Sequence, residues 1–285
     1  MSVFVPFALD DALDHLGRYP HSTVLAGGTD LMVAINSGHT RPAQVICVNR
    51  VRELRTWSHD PAGALVRIGA GITYAELMTA PLASLVPALA QAARTVGSPQ
   101  IRNAATIGGN VATSSPAGDG LPVLAALDAV VHVASADGRR DVPFADFATA
   151  PKRTVLAAGE LITSISVPIL DGFQGYTKVG VRNAMVIATA SACLAVDLGG
   201  RSVRLALGSV GPVIIRATEA EAIAAAAADF EAGTIAASAV AEFAMAAAAA
   251  AHPIDDHRST AAYRRHAIGV LARRLLMRAF PGRSM

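Results

Sequence analysis

The chain has 285 residues, of which 52% are apolar and 16% charged, with 24 Lys and Arg against 22 Asp and Glu. That composition excludes a disordered chain. The charge balance excludes a dedicated nucleic-acid binder, and aromatics at 5% exclude a base-stacking platform. The length predicts two or three domains that bury roughly three-quarters of the unfolded surface without needing disulfides or metals.

Asp10 and Asp11 open a helix over residues 9–16. Thr23 to Ala26 is a short strand that runs into Gly27-Gly28, and residues 45–48 and 65–70 are further strands. Thr73 followed by Glu76 has capping-box spacing and predicts a helix from Tyr74 to about Thr79. A second helix spans 82–95 and stops near Gly97. The Asp137-Gly138 pair between 128–135 and 139–143 signals a hairpin. Residues 161–167 alternate apolar and polar, as a half-buried strand does. Residues 173–179, 186–198 and 201–210 read as an antiparallel meander with a turn at Leu198-Gly199-Gly200. Between 217 and 251, 20 of 35 positions are alanine, the best helix former, and Gly233 divides them into two helices. A last helix over about 260–279 carries Arg264, Arg265, Arg273, Arg274 and Arg278, read as a solvated or partner-binding face. The layout is α+β over about 168 residues, then a β-meander, then helices.

Cys47 and Cys193 each sit in an apolar run and read as buried core thiols. The chain has no Cys-x-x-Cys or Cys/His cluster, which argues against an iron–sulfur cluster or structural zinc. Residues 1–6 lack the basic start of a secretory signal. The apolar stretch 185–196 is interrupted and too short to span a bilayer. These readings place the protein in the cytoplasm.

The Walker-type phosphate loop, the GxGxxG fingerprint, the GxSxG elbow and HExxH are all missing from the sequence. Two glycine-rich segments carry the chemistry that remains. In Ala26-Gly27-Gly28-Thr29-Asp30-Leu31 a strand delivers the chain to two glycines, where backbone N–H groups converge as a nest suited to a phosphate. In Thr106-Ile107-Gly108-Gly109-Asn110 a hydroxyl and an amide bracket a second glycine pair, and Asp119 follows as an acceptor for sugar or ribityl hydroxyls. Each segment also reads as a tight turn with a helix cap.

Together, AGGTD, then TIGGN with SPxxD some 80 residues later, resemble the FAD-binding medium subunits of molybdenum hydroxylases, the group that includes xanthine dehydrogenase and carbon monoxide dehydrogenase. The order of the segments 96–103, 159–162 and 176–182 matches too, so the resemblance covers the whole chain. It implies a two-subdomain α+β flavin fold of the vanillyl-alcohol-oxidase type over 1–59 and 60–168, then a C-terminal meander-plus-helix domain over 169–285. It assigns Ala26, Gly27, Gly28, Thr29, Asp30 and Leu31 to the pyrophosphate. Thr106, Gly108, Gly109 and Asn110 go to the diphosphate and ribityl chain, and Asp119 to a cofactor hydroxyl. Leu161 or Ile162 would pack on a ring, and Lys178 would supply positive charge beside the cofactor. Val96 falls where relatives place a residue near the flavin, here small. Thr29-Asp30 and Asn110 place the chain nearer the xanthine-dehydrogenase-like and aromatic-hydroxylating branches than the carbon monoxide branch.

The resemblance further implies a molybdenum–molybdopterin cofactor in a large partner subunit and two [2Fe-2S] clusters in a small one, in a dimer of heterotrimers. Electrons would run through the clusters to FAD and on to NAD+ or another acceptor. No His or Cys adjoins either glycine motif, so the flavin is expected to bind non-covalently. The competing readings are a free-standing FAD-dependent reductase or oxidase, and a non-enzymatic phosphate-binding module.

Overall fold

The computed structural model describes residues 2–283. Its first unit is a small parallel sheet in which β1 (Ser2–Phe4) and β2 (Thr23–Leu25) both pair with β3 (Gln44–Cys47). Helix α1 (Leu9–Arg18) crosses between the outer strands, and α2 (Leu31–Asn36) follows the first glycine motif. Leu13 and Leu16 of α1 pack on Ile46 and Val48, and the same cluster takes in Ala134 and Leu161 of the next sheet. Burial of that apolar face therefore fixes the first unit against the second.

The second sheet runs β4 (Trp57–Asp60), β5 (Leu65–Gly69), β10 (Leu161–Pro168), β6 (Val130–Ser135), β7 (Gly138–Pro143), all antiparallel. The expected boundary after residue 59 falls inside β4. Between β5 and β6 lie α3 (Leu82–Leu85), α4 (Pro87–Thr95), α5 (Pro99–Ala104), α6 (Ile107–Thr113) and α7 (Leu121–Ala126). A one-turn helix α8 (Phe144–Phe147) and the pair β8 (Ala148–Ala150) and β9 (Arg153–Thr154) precede β10. Strand β10 alternates in residue type as expected but is not half-buried. Ile165 and Val167 join the core, and on the other face Ser164 and Ser166 are buried as well, Ser166 meeting His132 Nε2 at 2.6 Å and Ser164 accepting from Arg67.

Two helices differ from the sequence reading. The Thr73–Glu76 box forms, with the Thr73 N–H donating to Glu76 and the Glu76 N–H to Thr73, but it caps only a single 3-10 turn, Glu76–Met78. The expected helix over 82–95 is two, because Pro87 has no N–H to continue the first and instead opens the second.

The meander is β11 (Gly172–Val179), β12 (Ala190–Asp197) and β13 (Ser202–Gly208), with a short fourth strand, β14 (Ile215–Arg216). Strand β12 starts at Ala190 rather than Val186, so residues 180–189 form a long hairpin loop. Both faces of β12 are buried. Leu194 and Val196 face α9 (Thr218–Ala227), α10 (Ala237–Ala249) and α11 (Ala261–Ala279), while Cys193 and Ala195 join the core of the second sheet. That shared core welds the C-terminal unit to the rest. Strands β15 (Ala228–Asp229), β16 (Thr234–Ile235) and β17 (Gly282–Arg283) close the outer end.

Alanines at 220, 224, 239 and 247 are buried in this second core, so they serve close packing as well as helix propensity. A Cβ on Gly269 of α11 would lie 3.2 Å from the Ala244 carbonyl oxygen of α10, which shows how near the two backbones run. Arg264 is buried rather than on the solvated face, and donates to Asp256 and to the Thr189 and Ser209 carbonyls. Cys193 is buried as expected, but Cys47 is only half-buried. Among the described residues, no helix is long and apolar enough to cross a membrane.

Phe243 is fully enclosed between the meander and α11. Phe243→Ala is expected to cost about 3–5 kcal/mol in urea unfolding. Gly138→Ala, whose methyl meets nothing within 4 Å, should stay within about 0.5 kcal/mol of wild type in the same experiment.

Candidate functional site

The two glycine segments meet along one cleft of about 940 Å³, within the range of roughly 300–1,000 Å³ common for ligand and cofactor sites. Gly27 is the contact point. A Cβ there would fall 1.8 Å from the Ala104 carbonyl oxygen and 3.0 Å from the Ala105 nitrogen, so only glycine lets the first motif reach the chain leading into the second. Gly108 does the same on the other side: its N–H donates to the Ala70 carbonyl at 2.9 Å, and a Cβ would lie 2.5 Å from that of Ala70. Thus the first glycine of each pair packs against protein backbone, while the second borders the cleft and its Cβ position meets only side chains, those of Met32 and Leu25 at Gly28 and the Thr106 hydroxyl, at 3.0 Å, at Gly109. Gly28 adopts φ +72, a left-handed conformation that disfavours any side chain.

The two motifs offer different groups. From Gly27 to Leu31, among the described residues, none of the five backbone N–H groups donates to a protein acceptor. This run precedes α2 and lines the cleft, the geometry of a nest for an anion. Asp30 stands at the N-cap without a side-chain cap bond, and its carboxylate lies 3.5 Å from the Thr113 hydroxyl. In the second motif the backbone donors are spent internally. Ile107 donates to Ile72, Gly108 to Ala70, Asn110 to the Thr106 carbonyl and Gly109 to the Thr106 hydroxyl. These amides therefore form no nest, and what this motif presents to the cleft is the Asn110 side chain and the Cβ-less Gly109.

Asp119 borders the cleft but is buried and heavily bonded. It accepts from Lys178 Nζ at 2.7 Å, Tyr176 Oη at 2.8 Å and Thr95 Oγ1 at 3.3 Å. Burial pushes its carboxyl above the ordinary range, against the opposing pull of Lys178 and the two hydroxyls. Burial, with the nearby Asp119 charge, also holds the Tyr176 phenol well above its usual value.

Lys178 does not line the cleft, contrary to the expectation of a free charge beside the cofactor. Its ammonium has three protons. They go to Asp119, to the Thr95 carbonyl at 2.9 Å and to the Val186 carbonyl at 3.1 Å. It ties together the Asp119 segment, the end of α4 and the loop between β11 and β12.

Ala26 to Leu31, Thr106, Gly108, Gly109, Asn110, Asp119, Leu161 and Ile162 all line this one cleft. Leu161 and Ile162 form an apolar floor at the start of β10, beside Glu160, which the Arg140 guanidinium holds below the usual carboxylate range. Sequence reasoning missed Tyr74 and the tip of the 180–189 loop, where Met185, Val186 and Ile187 close one side. Val96 and Gly97 lie in the lining as well.

A parallel α/β unit and an antiparallel sheet enclosing a long, donor-lined cleft, followed by a meander and helices, define a flavin-binding fold of the molybdopterin dehydrogenases. Residues 1–170 match the family model described as the FAD binding domain in molybdopterin dehydrogenase, and residues 175–279 match the CO dehydrogenase flavoprotein C-terminal domain. The glyceraldehyde dehydrogenase medium chain of Sulfolobus acidocaldarius is 34% identical, over 96% of this chain and 94% of that one. The xanthine dehydrogenase FAD-binding subunit of Escherichia coli O157:H7 is 32% identical, over 75% of each. Among solved structures, carbon monoxide dehydrogenase from Hydrogenophaga pseudoflava superposes with a TM-score of 0.88 at 29% identity, covering 99% of this chain and 97% of that chain. The chain belongs to the family of FAD-binding subunits of molybdenum hydroxylases, an oxidoreductase family.

Removing the Lys178 ammonium leaves the buried Asp119 carboxyl without its cationic partner. Lys178→Met is expected to cost about 3–5 kcal/mol of stability at neutral pH, as breaking a buried pair does. The sign with pH follows from the raised Asp119 carboxyl: the folded state binds that proton more tightly than the unfolded chain. Asp119's contribution is thus fullest below the unfolded carboxylate pKa and is lost as pH rises through the folded value. In the variant the abandoned carboxylate protonates on acidification, so the loss relative to wild type should shrink as pH falls. Denaturant midpoints across pH measure both effects.

Proposed function

We propose that this chain is the FAD-carrying electron-transfer subunit of a multisubunit molybdenum hydroxylase, of the xanthine-dehydrogenase-like or aromatic N-heterocycle- or aldehyde-oxidising kind. The observation that carries the reading is the run of free N–H groups from Gly27 to Leu31 on the cleft wall. Two adjoining phosphates need several convergent donors and close backbone approach, and this segment supplies both.

Ala26, Gly27, Gly28, Thr29, Asp30 and Leu31 would hold the pyrophosphate through the backbone. Gly109 leaves room beside it, and Asn110 donates from the opposite wall. Thr106 and Gly108 act indirectly, by fixing α6 in place. Asp119 Oδ1, with Tyr176 as its one side-chain partner, has acceptor capacity for a cofactor hydroxyl at the cleft edge. Leu161 and Ile162 give an apolar surface for a ring. Bound FAD supplies the redox chemistry, and the protein supplies orientation and access.

Substrate oxidation then belongs to a large partner carrying the molybdenum–molybdopterin cofactor, with two [2Fe-2S] clusters in a small partner as the electron path. NAD+ or another acceptor takes the electrons from this subunit, in a cytoplasmic dimer of heterotrimers. The apolar side chains of Met185 and Ile187 are exposed at one rim of the cleft, and Val181 of the same loop is exposed as well, which suits contact with another subunit.

The full-length chain, purified with or reconstituted with FAD, is expected to hold one flavin that heat or acid releases. Gly109→Val puts a side chain on the cleft wall, its Cβ 3.0 Å from the Thr106 hydroxyl, and is expected to abolish flavin absorbance while the circular dichroism of the chain is kept. A wild-type chain that takes up no FAD, or a Gly109→Val chain that retains it fully, contradicts the assignment.

A further inference from the structure

We infer that Tyr74 is a positioning residue of the cleft: its phenol fixes the Asn110 carboxamide so that the Nδ2 end faces the bound ligand. The inference rests on the reading that the cleft takes FAD. It starts from the second motif's spent backbone donors, which leave the Asn110 amide as the N–H group that this motif presents. A carboxamide has a donor end and an acceptor end of nearly the same shape, so its usefulness depends on which way it is turned.

The structure settles that orientation from several sides. Tyr74 Oη donates to Asn110 Oδ1 at 2.6 Å. The phenol is fully enclosed, and burial with the Asp119 charge pushes its pKa far above the usual value, so it stays a donor at any working pH. Its backbone is pinned too: the Tyr74 N–H donates to the Ala105 carbonyl, and Thr73 bridges to Thr106. The segment 118–120 is moulded around the same amide. A Cβ on Gly120 would lie 2.6 Å from the phenol oxygen and 3.2 Å from Asn110 Oδ1, and one on Gly118 would lie 2.8 Å from Asn110 Nδ2. With Oδ1 held by the phenol, Nδ2 lies toward Gly118 on the cleft wall.

The test is a double-mutant cycle on FAD affinity in the full-length chain: wild type, Tyr74→Phe, Asn110→Ala and both together, with the flavin-free melting temperature of each as a separate readout. Wild-type binding examines the FAD reading by itself, and a wild type that binds no FAD removes the ligand on which the inference stands. Given wild-type binding, Tyr74→Phe is expected to weaken FAD about tenfold, the scale of one well-placed hydrogen bond. Asn110→Ala should weaken it at least as much, and the double variant should bind no more weakly than Asn110→Ala alone. Gly120→Ala disturbs the same bond from the other side, and it should give the same loss with the same dependence on Asn110. Wild-type affinity in Tyr74→Phe and Gly120→Ala, or losses that multiply in the double variant, would overturn the positioning role. A loss of affinity that merely tracks melting temperature across all the variants would do so as well.

Discussion

The closest approach in the molecule that only glycine permits is at Gly27, where the backbone sits against the Ala104 carbonyl with no room for a Cβ. Everything about the cleft depends on it. The first motif belongs to the small parallel sheet and the second to the antiparallel one, and the Gly27 contact brings them onto the same opening. Gly108 makes the matching contact with Ala70 at the end of β5. Each motif thus spends one glycine on assembling the protein and places the other on the cleft wall. A reading in which every glycine of such a motif exists for the cofactor misses half of the reason for the pair.

The division of labour between the two walls follows. The first wall offers backbone, a run of N–H groups from Gly27 to Leu31 without protein acceptors, with Gly28 in the left-handed region. The second offers a side chain, because its helix has already satisfied its own donors. At the far edge, the C-terminal unit joins the site through the buried group of Asp119, Tyr176, Lys178 and Thr95, with the shared core of β12 behind it. Lys178 is better understood as the tie across that junction than as a charge offered to the flavin. A fully committed ammonium paired with a carboxylate presents little net charge to its surroundings.

Much of this was legible in the sequence. The β6–β7 hairpin, the alternation of residue types in β10 and the meander are patterns of local chemistry, and local chemistry survives folding. The hairpin's two-residue turn, however, is Ala136-Asp137 rather than Asp137-Gly138, because Gly138 already pairs with Ser135. The paired glycine motifs marked both walls of the cleft, because close backbone approach leaves glycine as its trace. What escaped was set by tertiary contacts. Tyr74 looked like the start of a helix after a capping box, and only the fold carries its phenol to Asn110. Val186 and Ile187 read as the start of a strand, yet the register of β11 and β12 ends at Val179 and Ala190 and leaves them in a loop beside the cleft. Two of the spent N–H groups of α6, those of Ile107 and Gly108, depend on acceptors at Ile72 and Ala70, which no pattern within TIGGN announces. Arg264 looked like its exposed neighbours, and its burial follows from carbonyls at 189 and 209, far away in sequence.

The central claim is that one ligand bridges a backbone wall, a side-chain wall and a loop of the C-terminal unit. Hydrogen–deuterium exchange of the full-length chain with and without FAD measures it most directly, because the donors at issue are backbone amides. The account predicts strong FAD-dependent protection of residues 27–31, whose N–H groups gain acceptors, with added protection around 185–187. It predicts little change at 107–110, where the amides are already bonded. Protection centred on 107–110 with none at 27–31, or a change confined to one unit of the protein, would contradict it.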